Sequence, residues 1–215
     1  MGSKMAMKVI LRQALLVLGL VFASAAIAAS AQAATPAEAF VQDNIHVGLD
    51  ILNNKTLSTD ARRTQFASFL LSLTDMKRIA DFTLGQYRRG ASPADLAAFD
   101  AAFQNYAVAV YQSYFAKYAG QTLKVTNSQA RTADDFIVAT QLIDPNDHSG
   151  QAPLEVDFRV RTDAGKPVVT DFSVAGIWLA LEERDQFTSF LGQNSANIKA
   201  LIGHLNDLAK QYRNG

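Results

Sequence analysis

Residues 154–174, LEVDFRVRTDAGKPVVTDFSV, are typical of an antiparallel β-hairpin. Apolar and polar side chains alternate from Leu154 to Arg161, which is the period of a strand with one buried face. Asp163-Ala164-Gly165 is a turn sequence, and apolar residues return from Val168 to Val174. The segment therefore predicts two antiparallel strands with apolar inward positions.

Two further strands are predicted upstream, one at Leu123 to Val125 and one from Phe136 to Ile143. Before and after the strands, apolar residues recur at three- and four-residue spacing, as in helices that cover a core. The last helical region begins at Trp178. Helices, then strands, then helices indicate an α+β fold, with a four-stranded antiparallel sheet and helices packed on one face.

Helix boundaries are marked by capping residues. Thr35-Pro36-Ala37-Glu38 is a capping box and predicts a first helix to about Leu52. Thr59-Asp60 and Thr74-Asp75 begin a second and a short third helix. Ser92-Pro93 begins the longest helix, which is predicted to continue to Gly120.

The first 33 residues have the pattern of a secretory signal peptide. An apolar run from Ala14 to Ile27 is followed by Ala31-Gln32-Ala33, a small-x-small cleavage sequence. Before it stand three cations: Lys4, Lys8 and Arg12. We expect cleavage to leave a single domain of residues 34–215 in the periplasm.

Composition excludes several kinds of chemistry. The chain has 20 Lys and Arg and 20 Asp and Glu, and the segment after the signal is slightly acidic, which does not favour nucleic acid as a partner. Cysteine is absent, so thiolate catalysis and cysteine-ligated metals are excluded. We find no nucleophile elbow, phosphate loop or zinc-protease motif, and the histidines His46, His148 and His204 lie far apart. The sequence predicts no catalytic residue, metal or cofactor.

Aromatic and aliphatic residues are abundant on the predicted inward faces. They are compatible with an ordinary filled core, or with an apolar cavity between the longest helix and the sheet that binds an apolar molecule. The residues predicted to line that cavity are Phe66, Phe69, Leu73, Ile79, Phe82, Phe99, Phe103, Tyr106, Val110, Tyr114, Val125, Val138, Val156, Phe158, Val160, Val168, Phe172, Val174 and Trp178.

Three segments resemble the MlaC family of periplasmic lipid-binding proteins, also called the toluene-tolerance family. Leu84-Gly85-Gln86-Tyr87-Arg88-Arg89, followed by Ala91-Ser92-Pro93, is similar to a turn of that family. Asp171-Phe172-Ser173-Val174-Ala175-Gly176-Ile177 is similar to its strand-to-helix segment. The region from Leu181 to Leu205 resembles the HpnM branch, which is encoded with hopanoid-synthesis proteins.

The resemblance implies an NTF2-like α+β fold with a lipid between the sheet and the helices. It further implies a carrier rather than an enzyme, with a phospholipid or hopanoid-type lipid as cargo, shuttled between the inner and outer membranes. The implied partners are an inner-membrane ABC transporter with MCE domains and an outer-membrane lipoprotein complex. Tyr87 and Arg89 are predicted to contact the headgroup at the cavity mouth. An NTF2-like enzyme of the isomerase or dehydratase type, or a structural adaptor with a filled core, are the alternatives.

Overall fold

The structure is a computed structural model that describes residues 34–115, 118–163 and 165–214. Its helices are α1 (Pro36–Asn53), α2 (Thr59–Leu73), α3 (Met76–Thr83), a 3₁₀-helix (Gly85–Gly90), α4 (Pro93–Phe115), α5 (Leu179–Gln193) and α6 (Ile198–Asn214). Its strands are β1 (Thr122–Thr132), β2 (Asp135–Ile143), β3 (Glu155–Arg161), β4 (Val168–Val174) and β5 (Ile177–Trp178). None of the helices in this part of the chain is long and apolar enough to cross a membrane. The predicted signal peptide lies outside the described residues.

The described strands form one antiparallel sheet in the order β1-β2-β3-β4-β5, in which each strand pairs with the next in sequence. The α+β prediction is confirmed, but the sheet has five strands where four were predicted. The additional strand β5 is two residues long, too short to show alternation. It follows a tight turn in which Ala175 and Gly176 both have positive φ, 51° and 80°, as type I′ hairpins require. Trp178, predicted to begin a helix, instead pairs with Ser173 in the sheet.

Strand β1 is longer than its sequence pattern predicts. Its register shifts twice, between Val125 and Asn127 and again between Ala130 and Thr132. Each irregularity interrupts the alternation of inward and outward side chains. Periodicity therefore identified only the part of β1 around Val125.

Most helix starts agree with the capping signals. The predicted capping box is present: the Glu38 backbone N–H donates to Thr35 Oγ1 (3.1 Å), and the Thr35 N–H donates to Glu38 Oε2 (2.9 Å). Ser58 and Asp75 cap α2 and α3. Thr35 Oγ1 also lies 3.0 Å from Ser128 Oγ on β1, which ties the start of α1 to the sheet.

The buried apolar side chains form two clusters. A helical core unites α3, α4, α5 and α6 around Phe99, Phe187 and Leu201. A smaller sheet core joins Ala37 and Val41 of α1 to β2 and β3. Helix α1 lies on β1, β2 and β3, whereas α4 packs chiefly along α6. The structure therefore places α1, rather than the longest helix, over strands β1 to β3 of the sheet.

Candidate functional site

An apolar cavity of about 250 Å³ lies between α1, α2 and the sheet, and we call it the hairpin cavity because α1 and α2 form an αα-hairpin above it. It is lined by Phe40, Val41, Asn44, Ile45, Gly48, Leu49, Leu52, Phe66, Phe69, Leu70, Leu73, Tyr118, Gln121, Thr122, Leu123, Leu142, Phe158 and Val169.

Helix α2 covers this cavity with an incompletely buried apolar face. Phe66, Phe69 and Leu73 follow one another at helical spacing and line the cavity, yet all three are only half-buried. Ala67 is the single fully buried residue of α2, a helix that the structure describes throughout. On α1, Gly48 leaves room for an aromatic ring, because a Cβ there would lie 3.2 Å from Phe69 Cε1.

Polar groups gather at one end of the hairpin cavity, where α1 ends and α2 begins. Tyr118 Oη donates to Asn53 Oδ1 at the end of α1 (3.3 Å). Gln121 Nε2 donates to Asp144 Oδ2 (3.1 Å) in the loop between β2 and β3. Tyr118 and Gln121 line the cavity, so we call this region its polar end.

A second cavity, of about 60 Å³, lies between α3, α4, β4 and α5, and we call it the helix cavity. An apolar cavity of about 150 Å³ holds one benzene molecule, so the helix cavity is too small for an acyl chain. It is lined by Thr74, Ile79, Phe103, Tyr106, Ala107, Val110, Tyr111, Val169, Asp171, Phe172, Leu179, Ala180 and Glu183.

Glu183 and Tyr111 are two half-buried titratable residues that line the helix cavity. Glu183 Oε1 accepts a hydrogen bond from Tyr106 Oη (2.8 Å), and its Oε2 is buried with no hydrogen-bond partner among the described residues. Burial raises the pKa of Glu183 above its ordinary value, against the opposing effect of the Tyr106 bond. Burial likewise raises the pKa of Tyr111 to about 12.

Asp171 of β4 lines the helix cavity, although the inward positions of this strand were predicted to be apolar. Its Oδ1 accepts from the backbone N–H groups of Phe172 (2.8 Å) and Ala180 (2.9 Å). Burial raises the pKa of Asp171 in spite of these bonds. Ala180 belongs to the first turn of α5, whose N–H groups lack intrahelical partners. Asp171 therefore has a structural role in capping α5.

The predicted cavity residues divide among several environments. The hairpin cavity is lined by Phe66, Phe69, Leu73 and Phe158. The helix cavity is lined by Ile79, Phe103, Tyr106, Val110 and Phe172. The helical core contains Phe99, and the sheet core contains Val125, Val138 and Val160. In the strands outside both cavities lie Val156, Val168, Val174 and Trp178.

Phe82, predicted to face inward, is 40% exposed. It carries the Arg184 guanidinium 5.1 Å above its ring, an arrangement that suits a surface aromatic. The side chain of Tyr114 lies outside the part of the chain that the structure describes.

Tyr87 and Arg89, the predicted mouth residues, line neither cavity. Both belong to the 3₁₀-helix, where Tyr87 packs against the helical core and Arg89 is exposed. The sequence analysis missed the contribution of α1, of which Ile45, Leu49 and Leu52 line the hairpin cavity. The spacing of these three was the available signal, but the sequence analysis predicted this helix from its capping box alone.

The model of the MlaC protein family matches residues 42–207, from α1 to α6. The chain belongs to the MlaC family. The resemblance inferred from the sequence is thereby confirmed. The family match includes the lining of the hairpin cavity from Asn44 onward, with only Phe40 and Val41 before it.

A solved structure of a phospholipid-binding protein from Ralstonia solanacearum, in complex with a phospholipid, has the same fold as this MlaC-family chain. The TM-score is 0.66 at 18% sequence identity, and the match covers 82% of this chain and 96% of the Ralstonia chain. The described residues contain no group of three or more His, Asp or Glu side chains placed to hold a metal ion.

Proposed function

We propose that this MlaC-family protein binds a lipid, with acyl carbon in the hairpin cavity, and carries it through the periplasm between the inner and outer membranes. The observation that carries the proposal is the cavity itself. Phe66 and Phe69 of α2 and Phe158 of β3 line it, its lining is mostly apolar, and Tyr118 and Gln121 lie at one end. An apolar space with polar side chains at one end suits an amphiphile. Family membership and the phospholipid in the Ralstonia structure support the same conclusion.

The cavity volume of about 250 Å³ exceeds that of a site for one benzene. Two acyl chains of a phospholipid would need more space than this, so we expect the cavity to widen when lipid enters. Helix α2 is the element best able to move, because it buries only Ala67 completely and packs on α1 and α4. Displacing α2 outward would enlarge the space under Phe66 and Phe69.

The carrier needs no energy source of its own. Each methylene transferred from a bilayer into the cavity keeps a stabilisation of about 0.8 kcal/mol, so the exchange is close to neutral. Direction then comes from partners, for which the family suggests an MCE-domain ABC transporter at the inner membrane and a lipoprotein complex at the outer membrane.

The enzyme alternative has one feature in its favour, the half-buried Glu183 hydrogen-bonded to Tyr106. The cavity beside this pair has a volume of only about 60 Å³, which leaves no room for a substrate. Asp171, the other carboxylate there, is engaged by two backbone N–H groups. Binding therefore accounts for the structure better than catalysis, and the hairpin cavity argues against an adaptor with a filled core.

The proposal is tested by extracting the purified protein with organic solvent and analysing the extract by mass spectrometry. We expect about one lipid molecule per chain, since an apolar cavity of this size loses packing contacts when empty. The mass identifies a phospholipid or a hopanoid-type lipid. An extract with only trace lipid, together with no uptake from vesicles, would refute the carrier proposal.

A further inference from the structure

We infer that Arg62 binds the phosphate of a phosphodiester lipid at the polar end of the hairpin cavity. The inference rests on the proposed function and adds a determinant of which lipid class is held.

The helical position of Arg62 directs it to this end. Arg62 precedes Phe66 by four residues and Phe69 by seven, so it continues their cavity-facing stripe by one turn. Side chains on a helix lean toward its N-terminus, which here means away from the apolar centre of the cavity. Arg62 Nη1 donates to the backbone oxygen of Leu52, itself a lining residue, at 3.3 Å. Arg62 is not itself a lining residue of the cavity, so its guanidinium lies beside the polar end, next to the last turn of α1.

Arg62 is unusual in its bonding. No carboxylate lies within 4.0 Å of it among the described residues, although other half-buried arginines are ion-paired: Arg159 with Asp135 at 2.7 Å and Arg161 with Asp163 at 2.8 Å. The bonds of Arg62 to Leu52 O and to Thr59 Oγ1 are long, 3.3 and 3.4 Å. Its Nε is buried without a hydrogen-bond partner in the described part of the chain, as are Arg63 Nε and Arg161 Nε, but those two arginines each have a carboxylate partner.

A half-buried cation without an anion is costly, and a guanidinium fork matches a phosphate oxygen pair. The neighbourhood favours an anion further, because the positive end of the α2 dipole lies in the same turn. Of the carboxylates near this end, Asp144 already accepts hydrogen bonds from Gln121 and from the Asn146 N–H, and Asp60 is exposed and lies 3.9 Å from Arg63. A lipid with its tails under Phe66 would thus present its phosphate to Arg62.

The test compares two short-chain probes with identical tails, dihexanoyl phosphatidylcholine and dihexanoylglycerol, which lacks the phosphate. Binding to the delipidated protein is measured by calorimetry. We expect Arg62→Gln to weaken phosphatidylcholine binding about tenfold and to leave dihexanoylglycerol binding within about twofold of wild type. Arg62→Lys, which keeps the charge but loses the fork, should recover part of the loss.

Arg63→Gln is the matched control, since Arg63 is the next residue and lies 3.9 Å from Asp60; it should bind both probes as wild type does. Inorganic phosphate alone should not bind appreciably. Equal losses for both probes, no loss for either, or tight binding of inorganic phosphate would each overturn the assignment. Failure of the wild-type protein to bind either probe would instead refute the proposed function, and thermal melting of each variant verifies that it is folded.

Discussion

Filling the hairpin cavity from α1 should abolish lipid binding without unfolding the protein, and Gly48→Leu is the substitution that does so. Gly48 is a buried glycine in the interior of α1, and a Cβ placed there points at Phe69 Cε1 (3.2 Å) and Phe66 Cε2 (3.6 Å). The isobutyl group would therefore enter the space between α1 and α2. Phe69 is half-buried beside this open space and can yield by the few tenths of an ångström required.

The magnitude follows from the volume displaced. A leucine side chain takes the place of about three or four methylenes of bound lipid, at about 0.8 kcal/mol each, so affinity should fall by about 3 kcal/mol, or roughly 100-fold. The free energy of unfolding of the lipid-free protein should not fall. Replacing a helix-interior glycine gains about 0.8 kcal/mol, and burying the new side chain offsets the tight contact with Phe69.

The assay measures lipid extracted per chain and the melting temperature of the delipidated protein on the same preparations. Val110→Trp is the control: Val110 lines the 60 Å³ helix cavity and packs on the helical core. Overpacking there should cost about 1 to 3 kcal/mol of stability and leave bound lipid unchanged in the folded fraction. A folded Gly48→Leu protein that retains its full lipid content would refute the placement of the lipid in the hairpin cavity.

Three further predictions concern packing and charge. Phe103→Ala removes a ring that is 96% buried between Phe99 and Phe187, so it should lower the free energy of unfolding in urea by about 3 to 5 kcal/mol. Phe66→Ala at the hairpin cavity should lower it by only about 1 to 2 kcal/mol. Equal losses for the two variants would contradict the distinction between core and cavity. Arg159 holds the pKa of Asp135 below its ordinary 3.8, so the ion pair stabilises the fold above that pH, and this stabilisation is lost as the pH falls through the lower pKa of the folded state. Asp135→Asn should therefore lower the free energy of unfolding by about 2 to 3 kcal/mol at neutral pH, and the difference from wild type should shrink below about pH 4. A difference that does not depend on pH would contradict this role of the ion pair. Burial raises the pKa of Glu183 above 4.5, so the free energy of unfolding falls as the pH rises from 4.5 through the pKa of the folded state. In urea titrations from pH 4 to 8, Glu183→Gln should remove this pH dependence and should be more stable than wild type at pH 8. An unchanged pH dependence in the variant would show that another group causes it.

Much of the fold was predictable because its signals are local. The capping box at Thr35 depends on residues three apart, and alternation along β3 depends on residues two apart. The two-residue β5 lacked such a signal, since its formation depends on the positive φ of Ala175 and on pairing with β4. The register shifts of β1 arise from its pairing with β2, so they too have no signal in the sequence of β1 alone.

The candidate site was predictable only in part, for a related reason. Periodicity identifies which side chains face inward, so Phe66, Phe69 and Phe158 were found, but it does not distinguish a packed interior from an empty one. Phe103 and Val110 have the same pattern yet face the smaller helix cavity. The difference depends on which helix lies over the sheet, and α1 takes that place through long-range contacts such as Thr35 with Ser128.

The sequence by itself determined the fold class, the family and the apolar character of the interior, because hydrophobic period and capping chemistry act between near neighbours in the chain. Only the tertiary structure decided where space remains and which polar groups border it. At the hairpin cavity, Gly48 of α1 faces Phe69 of α2, and the two residues are far apart in the sequence. Arg62 meets Leu52 only because the αα-hairpin folds back on itself. Cavities and their rims are made by residues distant in sequence, and their volumes depend on how elements pack rather than on what each element prefers.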